Sequence, residues 1–150
     1  MAKIVSALVS DSRRPQMFPV LTAAELRRIE RFGRRHHYRD GEFLARNGAP
    51  SPGMSVVLSG RIAVSQHDGL GRMSPIVEMG TGEFAGELAE LSGLPSPVDV
   101  RAEGDVEALI VPAEGMRSLV VAEADLGERI VRALILRRVY LIESRPPARS

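Results

Sequence analysis

Glu87 is the carboxylate whose setting in this 150-residue sequence points most directly at chemistry. It follows Gly86 and precedes Leu88 and Ala89, within a stretch that runs from Gly82 to Ala102. The stretch opens on a turn at Gly80 and Gly82. At about 3.6 residues per turn it has room for two helical turns, from Ala85 to Leu91. Gly93, Pro95 and Pro97 stop that helix, and Val98 to Arg101 reads as a strand. A short helix entered through glycine, between two strands, turns several backbone N–H groups to one point, because the first N–H groups of a helix have no partner inside it. Such a point suits an anion, phosphate above all. Glu87 in that helix is placed to accept hydrogen bonds from sugar hydroxyls.

Other reactive side chains lack company. His36 and His37 are adjacent, so in a strand they point to opposite faces, and His67 is distant. Three or four converging ligands are needed for a metal, and the spacing offers none. No local signature of a Ser-His-Asp nucleophile is present. Asp68 to Gly71 is a glycine-rich turn, read as a hairpin because the lysine and helix of a nucleoside-triphosphate loop do not follow it. The sequence has no cysteine, which excludes disulfides, thiol catalysis and cysteine metal sites. The chain is therefore not expected to be an enzyme or to hold a cofactor or metal.

The run Ala85-Gly86-Glu87-Leu88-Ala89-Glu90, followed by Pro95, resembles the phosphate-binding cassette of the cyclic nucleotide-binding domain family. The resemblance implies that Glu87 faces a ribose hydroxyl and that the N–H groups of Gly86, Leu88 and Ala89 lie near a cyclic phosphate, with cyclic AMP as a possible ligand. It places the rest of the site at Pro95, Ser96, Pro97 and Val98. The family's phosphate-pairing arginine is Ser96 here, and Asp99 falls nearby. That change removes a charge-assisted, potentially bidentate contact, so ordinary cyclic nucleotide affinity is expected to suffer.

The elements that must position this cassette follow from pattern. Met1 to Val20 reads as an N-terminal arm or helix, with a short apolar patch from Ile4 to Val9. Thr22 and Glu25 form a capping box. Leu26, Ile29 and Phe32 then recur at helical spacing, opposite Arg27, Arg28 and Arg31, and Gly33 ends that helix. The arginine run reads as a solvated helix face. From Arg34 to Met79 short strands alternate with turns: 36–39, 42–46, 55–59, 61–67 and 73–79, with Gly60 read as a turn. Val106 to Val111 is the last strand. The expected fold is α+β, mainly β: an antiparallel jelly-roll or double-stranded β-helix barrel. Asp40 to Gly48 and Met54 to Ile62 resemble early strands of the same family's barrel.

Pro112 opens a helix over Ala113 to Ala122. A second helix follows from Leu126 to Ile142, with Asp125 and Glu128 at its start and Arg137 and Arg138 toward its end, as the helix dipole favours. Its apolar stripe is too wide for one contact surface, so a ligand, a second copy or another domain is expected on its free side. In the resembled family this helix closes over ligand and often makes a homodimer. The expected organisation is 1–20 as arm, 21–144 as the domain, and 145–150 as tail or linker.

Net charge is +1 and apolar content 44%, neither of which draws the chain to nucleic acid or acidic membranes. No apolar run reaches the 18 or so residues that span a bilayer, and no secretion signal stands out. A cytoplasmic location is the expectation. Nothing encodes the helix-turn-helix that regulators of this kind carry after the last helix, so DNA binding is not expected. Asp68 to Arg72, Glu90 to Pro95 and especially Ala124 to Val139 resemble a subgroup in which such a domain precedes a thioredoxin-reductase-like flavoprotein. That resemblance implies a flavoprotein domain as a partner. Two roles follow: a ligand-sensing regulatory domain, or a degenerate domain kept for dimerisation or docking.

Overall fold

The computed structural model describes residues 14–67, 73–86, 95, 96 and 98–144. Residues 1–13 of the expected arm, the expected hairpin turn at 68–71 and the expected tail at 145–150 lie outside them. Two short helices lead in, α1 (Arg14–Met17) and α2 (Ala23–Ile29), the second running into a 3-10 turn (Glu30–Phe32). Six strands follow: β1 (Arg34–Tyr38), β2 (Phe43–Ala45), β3 (Met54–His67), β4 (Met73–Met79), β5 (Phe84–Ala85) and β6 (Asp99–Val111). Helices α3 (Ala113–Ala122) and α4 (Ala124–Ser144) complete the order. The fold is the mainly antiparallel jelly roll with helices that the sequence leads one to expect.

β3 and β6 form its spine, antiparallel from the pair Met54–Val111 to the pair Ser65–Asp99. β6 also carries β1 along Val106 to Ile110 and β2 near Val100 and Arg101, while β3 carries β4 and β5. Here the structure corrects the strand boundaries. Gly60 is not a turn between two strands but a bulge inside one, and the register shifts on either side of Ser59. Gly60 has φ +92°, and a Cβ there would lie 2.4 Å from the Asp105 carbonyl oxygen. Gly104, at φ +73°, bends β6 at the same level. Paired bulges let two long strands turn a corner together, which closes the roll.

Strand alternation divides the core. Val57, Ile62, Val64, Val77, Val100 and Ala108 fill the inside of the roll. Met54, Val56, Phe84, Leu109 and Val111 face the other way and pack against Ile29, Met116, Leu119, Leu126 and Ile130 of the helices. Full burial of one such side chain contributes roughly 1.5–3 kcal/mol.

Charged contacts brace the helical layer. The capping box forms as its sequence predicts: the Thr22 hydroxyl accepts from the Glu25 amide at 3.1 Å, and the Glu25 carboxylate accepts from the Thr22 amide at 2.9 Å. Glu25 also pairs with Arg129 of α4. Arg28 meets both Glu123 and Asp125 at 2.6 Å, and Arg31 meets Glu123 at 3.2 Å. Two members of the arginine run thus clamp the α3–α4 junction rather than only facing water.

Candidate functional site

The approach to the cassette is built by a tight turn. The Glu83 carboxylate accepts from the Gly80 amide at 2.8 Å, and the Glu83 amide returns to the Gly80 carbonyl at 3.1 Å. Gly82, at φ +88°, donates to Val57 and accepts from Leu21, both at 2.8 Å. A Cβ on Gly82 would sit 2.5 Å from the Leu21 carbonyl oxygen, so only glycine fits. β5 follows, with Ser55 opposite Ala85 and Val56 opposite Phe84. Ala85 therefore belongs to a strand, not to the first turn of a helix. Its φ/ψ is fixed by the ladder to β3, and the chain breaks away one residue later.

That residue is Gly86. Its φ is +89°, and a Cβ on it would come within 3.3 Å of the Gly53 carbonyl oxygen. Glu87, Leu88 and Ala89 lie outside the described residues, as does Pro97. The chain is described again at Pro95, which is exposed, and Ser96, which is buried.

Ser96 is held by backbone on two sides. Its amide donates to the Ala49 carbonyl at 3.1 Å, and its carbonyl accepts from the Gly48 amide at 2.8 Å. Its hydroxyl donates to the Val98 carbonyl at 2.7 Å and accepts from the Val98 amide at 3.3 Å. The hydroxyl is thus turned into a local loop, with Val98 buried behind it. Asp99 is also buried, and its carboxylate accepts from the Asn47 amide at 2.8 Å. Its charge is directed at a backbone donor of the β2–β3 loop.

The loop from Asn47 to Gly53 therefore touches both ends of the cassette: Gly53 at the entry, Gly48 and Ala49 at the exit. Sequence reasoning treated its glycines only as turns. A signal was available, since Gly48 and Gly53 bracket Pro50 and Pro52 within one short loop.

Arg137 was also missed. The sequence places it near the end of a helix, where any cation is favoured. In the structure its Nε donates to the Met17 carbonyl at 2.8 Å and its Nη1 to the Phe84 carbonyl at 2.9 Å. Its guanidinium lies 4.8 Å from the Phe84 ring centroid and 5.2 Å from that of Phe18. One side chain of α4 thus joins the N-terminal segment to the strand that leads into the cassette. Its position amid Leu134, Ile135 and Leu136 was the clue: a cation inside an apolar stripe needs polar partners.

α4 uses one side for the core, burying Leu126, Ile130 and Ala133. Its other side, with Val120 of α3, forms a groove of about 490 Å³ floored by Gly127, Val131 and Ile135. Ile135 is exposed there, at 55%. Among the described residues no cluster of His, Asp or Glu is placed to hold a metal, and no helix is long and apolar enough to cross a membrane.

Comparison with known proteins gives a consistent family. A cyclic nucleotide-gated potassium channel of Rhizobium etli is 30% identical over 122 residues, which cover 81% of this chain and 33% of the channel. The chain spans about a third or less of the length of the curated relatives it matches. The catabolite activator protein of Thermus thermophilus shares the fold with a TM-score of 0.71 at 22% identity, over 85% of this chain and 60% of that one. A structure described under a cyclic-GMP-dependent signalling pathway in bacterial phytopathogenesis gives 0.67 at 27% identity, over 80% of this chain and 95% of that one. The cyclic nucleotide-binding domain matches residues 35–123, more than half of the sequence, and the chain belongs to that family.

Proposed function

We propose that this domain is a non-catalytic ligand sensor: a nucleotide or other small anion docks at Gly86, Glu87, Leu88 and Ala89, with Pro95, Ser96, Pro97 and Val98 as the opposite wall, and α4 transmits the event. The observation that carries the reading is the Arg137 contact to Phe84. The helix that must respond is hydrogen-bonded two residues before the cassette begins. The left-handed Gly86 supports it too, because the β5 ladder ends at Ala85 and the backbone bends at the next residue, where the cassette begins. A ligand shifts α4 only to the extent that it binds one arrangement of the helix better than the other. The reading places the domain in the cytoplasm, as a regulatory part acting on a partner.

Titration calorimetry of the whole chain with cyclic AMP, cyclic GMP and cyclic di-GMP tests this, with thermal shift as a second readout. Binding of at least one is expected. No heat and no shift with any of the three would refute it.

A second reading is favoured by Ser96, whose hydroxyl is bound to the Val98 backbone where the family has arginine. In it the domain has lost its ligand and serves assembly, with a second copy or a flavoprotein domain covering the Val131 and Ile135 groove. It expects a ligand-independent dimer that Ile135→Glu dissociates, as sedimentation would show.

A further inference from the structure

Buried polar groups hold the loop between β2 and β3 at both of its ends. At the first end the Asp99 carboxylate, 6% exposed, accepts from the Asn47 amide, and Ser96, 2% exposed, exchanges backbone hydrogen bonds with Gly48 and Ala49. A buried carboxylate is costly unless it accepts hydrogen bonds, and those it accepts are stronger than neutral ones. At the second end Ser51 closes a local turn. Its hydroxyl donates to the Gly53 carbonyl at 3.1 Å and accepts from the Gly53 amide at 3.3 Å. That same Gly53 carbonyl is the oxygen against which Gly86 bends, 3.3 Å from where a Gly86 Cβ would stand.

Between these ends the loop has little freedom. Pro50 and Pro52 each fix a φ angle, and the Ser51 turn lies between them. Gly53 is buried, and a Cβ on it would stand 2.7 Å from the Val111 carbonyl oxygen, so the loop cannot relax toward β6. A short loop stiffened in this way passes a displacement along instead of absorbing it. Its two ends touch the two ends of the cassette: Gly86, where the chain leaves β5, and Ser96, where it returns toward β6.

We propose that the β2–β3 loop is a strap that couples the entry and the exit of the cassette, with Asp99 and Ser51 as its positioning residues. Asp99 anchors the strap at the exit, and Ser51 aims the Gly53 carbonyl at the entry. A guest that grips one end then orders the other, so less ordering cost remains for the second contact. Such coupling is reciprocal: what loosens the exit must loosen the entry, and the reverse. Its use at a ligand site rests on the sensor reading, but the strap is testable without any ligand.

The test uses the whole chain, 15N-labelled and free of ligand, with one variant at each end of the strap. Asp99→Ala should speed hydrogen exchange of the Gly48 and Ser96 amides by about tenfold or more. It should also shift the Ala85 and Gly86 amide resonances at the far end. Ser51→Ala should do the converse, shifting Ala85 and Gly86 and speeding exchange at Gly48 and Ser96. Asp99→Asn keeps an acceptor for the Asn47 amide and should restore the entry resonances, which a role confined to charge would not allow. Amides along β3 and β6 should keep their protection in all three. Effects that stay at the mutated end in both single variants would overturn the strap, and so would additive effects in the double variant. Where Asp99→Ala fails to fold, Ser51→Ala alone decides, by whether Gly48 and Ser96 respond. Calorimetry with cyclic GMP separates this result from the sensor reading. Coupled ends without heat would leave the strap and remove the ligand, whereas binding with uncoupled ends would leave the ligand and remove the strap.

Discussion

The β3–β6 spine and the α2–α4 helical layer are held by different physics. Along the spine, backbone ladders and alternating apolar side chains act together, and Val56, Val57, Ile62 and Leu109 are sealed from water. Between α2 and α4, the buried residues Ile29, Leu126 and Ile130 are supplemented by charged pairs at the rim: Glu25 with Arg129, and Arg28 with Asp125. Arg137 reaches further, from α4 to the Met17 and Phe84 carbonyls. Packed apolar contacts resist small displacement because any gap forfeits dispersion and burial together. Exposed ion pairs contribute about 0–1 kcal/mol each and re-form after small movements. A rigid frame with an adjustable helix on it is what the proposed sensor requires. The charged ties mark where the adjustment would occur.

The largest expected effect is in the frame. Ile62→Ala removes a fully buried side chain from inside the roll, where neighbours on both spine strands cannot close the gap. Its cost should be about 2–5 kcal/mol, the range for such truncations. Chemical denaturation would read it as a lower midpoint for the whole domain, in one transition. A loss confined to the helices, with the sheet unaffected, would contradict the division between the two regions.

Arg137→Ala comes next. It removes two charge-assisted hydrogen bonds to carbonyls, with an expected cost of about 1.5–3 kcal/mol. The location matters more than the size. Hydrogen exchange should quicken in α4 and near Phe84 while the β3–β6 amides keep their protection. Uniform loss of protection would mean that the arginine holds the frame itself, and the helix would no longer count as separately adjustable.

How far the sequence disclosed all this depends on the reach of each signal. Thr22 and Glu25 are three residues apart, and their box is legible because both ends of the interaction lie in one local pattern. The jelly roll is legible for the same reason, through alternation and turn residues. Gly60 misled because a bulge glycine and a turn glycine look alike in sequence. Only the pairing of Ser59 and Arg61 with the distant Glu107 and Glu103 distinguishes them. Arg137 was read as a cation at a helix end because its partner Met17 lies 120 residues away. Ser96 stands, by the resemblance, where the family has arginine. Its capture by the Val98 backbone follows from the Gly48 and Ala49 contacts, which no spacing rule reports.

The smallest effect concerns Glu25, and pH separates it from the rest. Its carboxyl is lowered from 4.5, first by the Thr22 amide and, against the opposing cost of burial, by the Arg129 charge. A lowered folded value means that its contribution is present above the unfolded value of 4.5 and lost as pH falls through the folded one. Asp125 is lowered as well, chiefly by Arg28, so acid weakens two ties in the same layer. Glutamine at position 25 can still complete the capping box but cannot form the ion pair. Glu25→Gln should therefore cost about 0.5–1 kcal/mol at neutral pH. The two proteins should converge in stability below pH 4.5, because Asp125 titrates in both and cancels from the difference. Thermal melts of both across that range decide the matter. A gap that stays constant into acid would show that the Glu25 charge plays no part in fastening α2 to α4.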